Sequence, residues 1–173
     1  MVKSLELKPE DRILDVSAGT GLLAESVINK FGPFKQYAAN DPSKKMLEIS
    51  KYRLRYKDNV GYSSYYAEDL PFDDNSFDHL LCLNAFHYYT DQKKALANFR
   101  RILKDGGNLW LLNWNRVGLF VIANYFIKLL SKENINTTSL DEMKVLLAEH
   151  DFSIQKEETW GYRWWRFFFI KCS

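Results

Sequence analysis

Short apolar runs alternate with stretches in which apolar residues return every three or four positions, and this alternation holds from residue 12 to residue 112. Arg12-Ile13-Leu14-Asp15-Val16 runs into a Ser/Gly-rich turn, and Leu22 to Lys30 then carries helical spacing, so strand, tight loop and helix follow one another. Phe31-Gly32-Pro33 stops that helix, and Gln36 to Asn40 forms a second strand ending at Asp41. Pro42-Ser43 opens a helix with Met46 and Ile49 on one face. Val60 to Tyr66 reads as a third strand and Leu70 to Asn75 as a loop. Asp78 to Leu83 has the continuous apolar core of a strand covered on both faces. Thr90-Asp91 caps a helix reaching Leu103, Asp105-Gly106-Gly107 terminates it, and Asn108 to Leu112 is the fifth strand.

Strands and helices in this order predict βαβ units, hence an α/β fold with a doubly wound, mostly parallel sheet and helices on both faces. The chain ends differently. Ser139-Leu140-Asp141-Glu142 is a capping box that starts a helix running to about His150, and Phe152 to Glu158 and Arg163 to Lys171 read as two strands joined by a loop. Val117 to Leu130 is apolar apart from Asn124 and Lys128 and falls short of the roughly 20 residues that span a bilayer, so it reads as a buried or lid helix. No linker or repeat interrupts residues 1–173, which are expected to form a single domain.

With 173 residues, 46% of them hydrophobic, the chain can bury a core without disulfides or metals. A formal charge of +2 and the lack of any long like-charge run argue against nucleic acid or an anionic membrane as partner, and leave a small molecule as the expected one. Cys82 and Cys172 stand far apart in strand-like segments with no ligand spacing around them, so they are expected as reduced structural thiols and no metal site is predicted. Met1-Val2-Lys3-Ser4 lacks the apolar stretch of a signal peptide, and a cytoplasmic location is expected. A homo-oligomer through the apolar last strand remains open.

Gly19-Thr20-Gly21-Leu22-Leu23-Ala24 follows the first strand, and Asp41 lies about 20 residues on at the end of the second. Small residues let a ligand approach the backbone, the helix start offers amides, and a carboxylate after the second strand can accept both ribose hydroxyls. The alternative is an ordinary tight turn with a solvated Asp41. Asp15, just before the glycines, separates two ligand classes: it would repel a pyrophosphate and attract the ammonium of a methionine moiety, favouring S-adenosylmethionine over NAD. No Lys-Ser/Thr pair follows the glycines, so a P-loop is excluded.

Four segments in order resemble the class I S-adenosylmethionine-dependent methyltransferases of the type 11, small-molecule group. Ile13 to Gly21 resembles their acidic, glycine-rich first motif. Asp41-Pro42-Ser43-Lys44-Lys45-Met46-Leu47 resembles the segment after strand two, Ala67 to Asp78 the loop leading into strand four, and Phe99 to Gly107 the helix and turn before strand five. The resemblance implies that Asp15 and the backbone of Ser17, Ala18, Gly19 and Gly21 face the methionine end, and that Asp41 holds the ribose. It places Pro42 and Met46 on the adenine surface, Ala67 and Glu68 at the adenine edge, and Asn84-Ala85-Phe86 beneath the sulfonium. It also implies a C-terminal antiparallel hairpin, in agreement with the two closing strands. Against the family pattern, Ser17 replaces the first glycine, Asp105 replaces a common Pro, and Tyr66 stands where many members carry an Asp for the adenine amino group. The first strand begins near residue 12, so any lid over the acceptor site is expected from residues 115–138, or the chain is a shortened form.

Methyl transfer from a sulfonium is an in-line displacement in which positioning and desolvation supply much of the acceleration. A hydroxyl or protonated amine acceptor gains from a base, and His87 is the candidate, with plain packing or capping as the alternative. Tyr88, Tyr89 and the tryptophans of the second half either bind an acceptor or pack. Arg116 either anchors an acid group or is a loop arginine. Asn84-Ala85-Phe86-His87 does not match the Asn-Pro-Pro-Tyr type of loop, which argues against nucleic-acid bases and glutamine as acceptors. A non-catalytic domain of the same fold, acting in binding or regulation, is the competing reading.

Overall fold

The computed structural model of the chain describes residues 4–130, 135–162 and 165–173. Its strands are β1 (Arg12–Val16), β2 (Gln36–Asn40), β3 (Val60–Ser63), β4 (Phe77–Leu83), β5 (Leu103–Trp114), β6 (Ile154–Tyr162) and β7 (Trp165–Cys172). Its helices are α1 (Leu22–Phe31), α2 (Lys44–Arg53), α3 (Gln92–Ile102), α4 (Phe120–Leu130) and α5 (Leu140–Ala148). One sheet has the order β3-β2-β1-β4-β5-β7-β6. The pairs among β1 to β5 are parallel, whereas β7 runs antiparallel to both β5 and β6.

The sheet separates two cores because successive strand residues point to opposite faces. Leu14, Leu80, Leu109, Leu111, Phe168 and Ile170 face α3 and α5 with Phe99, Met143 and Leu147. Ile13, Leu81, Trp110 and Phe169 face the other way, against Val27 and Ile28 of α1 and Leu54 at the end of α2. The expected boundaries shift where context overrides local pattern. β3 stops at Ser63, and Ala67–Asp69 forms a short 3-10 turn. α3 ends at Ile102, because Leu103 takes an extended conformation and pairs with Phe77, so β5 begins before the glycines and kinks at Gly106. Phe152 is buried against α3 and α5 instead of opening β6, and the first residues of the expected last strand, Arg163 and Trp164, lie outside the described residues.

The caps form as the sequence predicts. Ser43 accepts from the Met46 amide, Asp91 from the Lys94 amide, and Ser139 and Glu142 close a reciprocal capping box. Of the two readings of helix α4, buried or lid, the buried one fails. Phe120 and Asn124 face inward while Val121, Ile122, Tyr125, Phe126, Leu129 and Leu130 are exposed, so it is not a buried helix. Its polar residue is the inward one, and Asn124 Oδ1 accepts from the Thr137 hydroxyl at 2.8 Å. Cys82 and Cys172 are free and buried, and burial pushes both thiols up to about 12. Among the described residues, no helix is long and apolar enough to cross a membrane.

Helix α1 can start only where it does because of Gly21, in the left-handed region at φ 77°. A Cβ there would lie 2.5 Å from Ser50 Oγ, a side chain of α2. Gly21→Ala is therefore expected to lower stability by about 1–3 kcal/mol in urea unfolding. Adding Ser50→Ala should recover part of the loss, and no recovery would mean that backbone strain alone sets the cost.

Candidate functional site

The carboxyl ends of β1, β2, β4 and β5 lie together at the point where strand order reverses between β1 and β4, the usual position of a ligand crevice in open α/β sheets. Asp15 is 2% exposed. Its Oδ2 accepts a hydrogen bond from the Tyr37 hydroxyl at 2.8 Å. Burial pushes the Asp15 carboxyl up to about 7, with a contribution from the negative charge of Asp41 and partial relief from the Tyr37 hydroxyl. The same environment drives the Tyr37 hydroxyl well above its ordinary range, so it stays a donor.

After Val16 the chain turns through three left-handed residues, Ser17 (φ 63°), Gly19 (φ 55°) and Gly21 (φ 77°). Ser17 occupies the position of the family's first glycine and adopts a glycine-like conformation, its Oγ lying 3.1 Å from the Tyr89 hydroxyl. The Ala18 amide donates to the Asn40 carbonyl at 2.8 Å. The Gly19 amide donates to Asp41 Oδ2 at 2.8 Å, and the other carboxylate oxygen accepts from the Ser43 amide at 2.8 Å. A Cβ on Gly19 would meet nothing within 4 Å, so the loop looks onto open space. Arg53 of α2 donates through Nε to the Thr20 carbonyl at 2.9 Å, which ties the loop to α2 from outside.

The structure thus brings together Asp15, Ser17, Ala18, Gly19, Gly21 and Asp41. Pro42 and Met46 follow at the exposed start of α2, Met46 being 40% exposed. Ala67 is buried, and the Glu68 carboxylate is engaged with the segment before α3, accepting from the Thr90 and Asp91 amides at 2.8 and 3.2 Å. Tyr66 is exposed at 67% on the lead-in to that turn. Asn84 is exposed with φ 58°, and its amide donates to the Leu112 carbonyl. Ala85 lies beside it. The Phe86 ring is fully buried and packs edge-on to Tyr89, so this residue contributes backbone to the crevice while its side chain belongs to the core.

His87 has no exposed surface. Its Nδ1 is 2.6 Å from Asn113 Oδ1, and its ring stacks on Trp114 at 4.1 Å and 18°. Burial lowers its pKa, with some opposition from the Asn113 hydrogen bond, and the imidazole is held neutral. Trp114, Phe120 and Trp165 form an aromatic layer over it, with Trp114 5.8 Å from Phe120 and 5.5 Å from Trp165. Arg116 is paired with Glu142 of the α5 capping box, which removes it as a free anchor for an acid group. Sequence reasoning missed Tyr37, Arg53 and Asn113. Tyr37 carries a sequence signal, a hydroxyl at an inward position of a buried strand, which needs a partner.

The architecture is that of a class I methyltransferase. A methyltransferase domain family model matches residues 14–111, over half of the chain, and the chain belongs to that family. It is 30% identical over 167 residues to the uncharacterized methyltransferase YcgJ of Bacillus subtilis, covering 93% of this chain and 64% of that one. It is 38% identical over 109 residues to the ubiquinone/menaquinone biosynthesis C-methyltransferase UbiE of Francisella philomiragia, covering 61% of this chain and 44% of that one. The chain thus spans less than two thirds of the length of these curated relatives. The crystal structure of YcgJ superposes with a TM-score of 0.78 at 25% identity, covering 92% of this chain and 70% of that one. At fold level, a SAM-dependent methyltransferase from Aquifex aeolicus gives a TM-score of 0.77 at 17% identity, covering 99% and 86%. The [4+2]-cyclase SpnF gives 0.81 at 17%, covering 96% and 75%.

The buried Asp15 has a measurable consequence. Its folded pKa is raised, so the folded chain holds a proton that the unfolded chain releases near 3.8, and stability falls as pH rises from there through about 7. Asp15→Asn removes this dependence. The variant's advantage over the parent in urea unfolding should be about 2.6 kcal/mol larger at pH 8 than at pH 5. An equal advantage at both pH values would show that Asp15 does not titrate in this range.

Proposed function

We propose that this chain binds S-adenosylmethionine in the crevice between Ser17–Gly21 and Asp41 and transfers its methyl group to a small-molecule acceptor. The observation that carries the reading is the Gly19–Asp41 hydrogen bond, which joins the glycine turn to the carboxylate ending β2, next to a desolvated Asp15 carboxylate. The residues fit the cofactor. The side of Gly19 where a Cβ would sit is open, and the nearby buried negative charge suits an ammonium and opposes a pyrophosphate. When bound, the sulfonium supplies an activated methyl group with a good leaving group.

In this reading Asp15, with the backbone of Ser17, Ala18, Gly19 and Gly21, holds the methionine end. Asp41 has lone pairs left for the ribose hydroxyls after accepting from Gly19 and Ser43. Pro42 and Met46 line the adenine face, and Ala67 and Glu68 its edge, Glu68 acting through the position of its turn because its carboxylate is occupied. Asn84, Ala85 and the backbone of Phe86 underlie the sulfonium. His87 is a neutral imidazole at neutral pH and serves as the general base for the acceptor. The near-neutral charge supports a small acceptor over nucleic acid, and two buried reduced thiols suit the cytoplasm.

A binding or regulatory role without methyl transfer is favoured by one observation, the outward apolar face of α4. Cofactor-linked stability separates the two. S-adenosylhomocysteine at 100 times its Kd should stabilise the chain by about 2.7 kcal/mol, while NADH leaves it unchanged. Asp41→Ala should weaken that binding about ten- to a hundredfold by calorimetry. No response to S-adenosylhomocysteine would sink the methyltransferase reading.

A further inference from the structure

Helix α4 turns a continuous apolar side to solvent. Val121, Ile122, Tyr125, Phe126, Leu129 and Leu130 are each 50–80% exposed, while Phe120 and Asn124 hold the helix to the protein. Their spacing makes the six one face, with Val121, Tyr125 and Leu129 on one ridge and Ile122, Phe126 and Leu130 on the next. Leu119 at the helix entry and Trp165, packed on Phe120 at 5.4 Å, border this face and are half exposed themselves. With them the exposed apolar surface is roughly 800 Å², the amount that each partner contributes to a standard interface and more than a monomer usually leaves uncovered in one patch.

Other apolar and edge surfaces are already answered within the chain. β7 is paired on both sides, by β5 and β6, and Phe168, Phe169 and Ile170 are fully buried, so the last strand does not offer the oligomer contact its sequence left open. The edge strand β6 carries Lys156 and Glu157, ion-paired with Glu158 and Lys144, and charged edges resist pairing with another strand. The exposed rings of Tyr52 and Tyr56 lie under the Arg55 guanidinium at 4.2 and 4.5 Å.

We propose that the outward face of α4 binds the same face of a second copy of this chain about a two-fold axis. The face is self-complementary. With the axis passing between Tyr125 and Phe126, Val121 and Ile122 of one copy meet Leu129 and Leu130 of the other, and the two rings meet their own equivalents at the centre. The groove between the two ridges of one helix takes a ridge of the other. None of the six side chains carries a charge, so bringing two copies together sets no like charges in contact. A membrane surface fits less well, because a helix that lies on one is fringed with basic residues, and Arg116, just before α4, is tied to Glu142. The pairing is independent of the methyl-transfer reading.

The test is sedimentation equilibrium of the whole chain, which is expected to show a monomer–dimer equilibrium between about 1 and 100 µM. Phe126→Glu sets two negative charges at the centre of the contact and should weaken the dimer about a hundredfold or more, with the circular dichroism unchanged. Leu130→Lys, at the most exposed position of the face, should weaken it as well and serves if the glutamate variant does not fold. Phe126→Cys should cross-link to its own copy when oxidised with diamide, whereas Tyr52→Cys on α2 should not, and the native thiols of Cys82 and Cys172 are buried and silent. A chain that stays monomeric at about 100 µM, or a dimer that both charged variants leave intact, overturns the proposal. A monomer that sediments with phosphatidylcholine–phosphatidylglycerol vesicles, and ceases to in Phe126→Glu, overturns it in favour of a lipid surface.

Discussion

A carboxylate kept out of water at the end of β1 is the constraint around which the crevice is built. Removing Asp15 from solvent is costly for its charged form, and the fold offsets that cost only in part, through the Tyr37 hydroxyl on the neighbouring strand. Asp41 adds negative charge next to it, although its own oxygens are held by the Gly19 and Ser43 amides. Two acids thus share one end of a hydrophobic sheet with little positive charge in contact with either. Strongly perturbed carboxyls of this kind cluster at functional sites.

The geometry of the turn follows from that constraint. The chain must leave β1, pass Asp15 and enter α1 within a few residues, and it does so through three left-handed positions. Gly21 lets α2 lean against the start of α1, and Arg53 ties the outside of the turn back to α2. On the acceptor side, aromatic packing takes over. His87 stacks on Trp114, Trp114 meets Phe120 edge-on and Phe120 lies tilted against Trp165, and α4 is fastened through Phe120 and the Asn124–Thr137 bond instead of through a broad apolar face.

The parallel half of the fold was legible in the sequence because its signals are local. Apolar runs, capping residues and the glycine spacing each report on a few neighbouring positions, and they locate β1, β2, β4 and α1 to α3 within a few residues. The boundaries that moved depend on distant partners. Leu103 is drawn into the sheet by Phe77, and Phe152 into the core by α3 and α5. That Asp15, Gly19 and Asp41 come together was legible for the same reason, since they lie at fixed offsets from strand ends. Asn113 and Arg53 were not found because their roles exist only across gaps of 26 and 33 residues, and nothing in their own neighbourhoods marks them. The polarity of α4 also escaped, because an apolar segment with one asparagine does not reveal which side faces inward.

The bond between Gly19 and Asp41 means that the turn is already in place before anything occupies it. The Ser17–Gly21 turn does not have to be ordered on encounter, so little of the barrier to a ligand's arrival there is conformational. Differences in affinity between ligands of such a site then fall on residence time. The clock of such a site is set by how fast it empties.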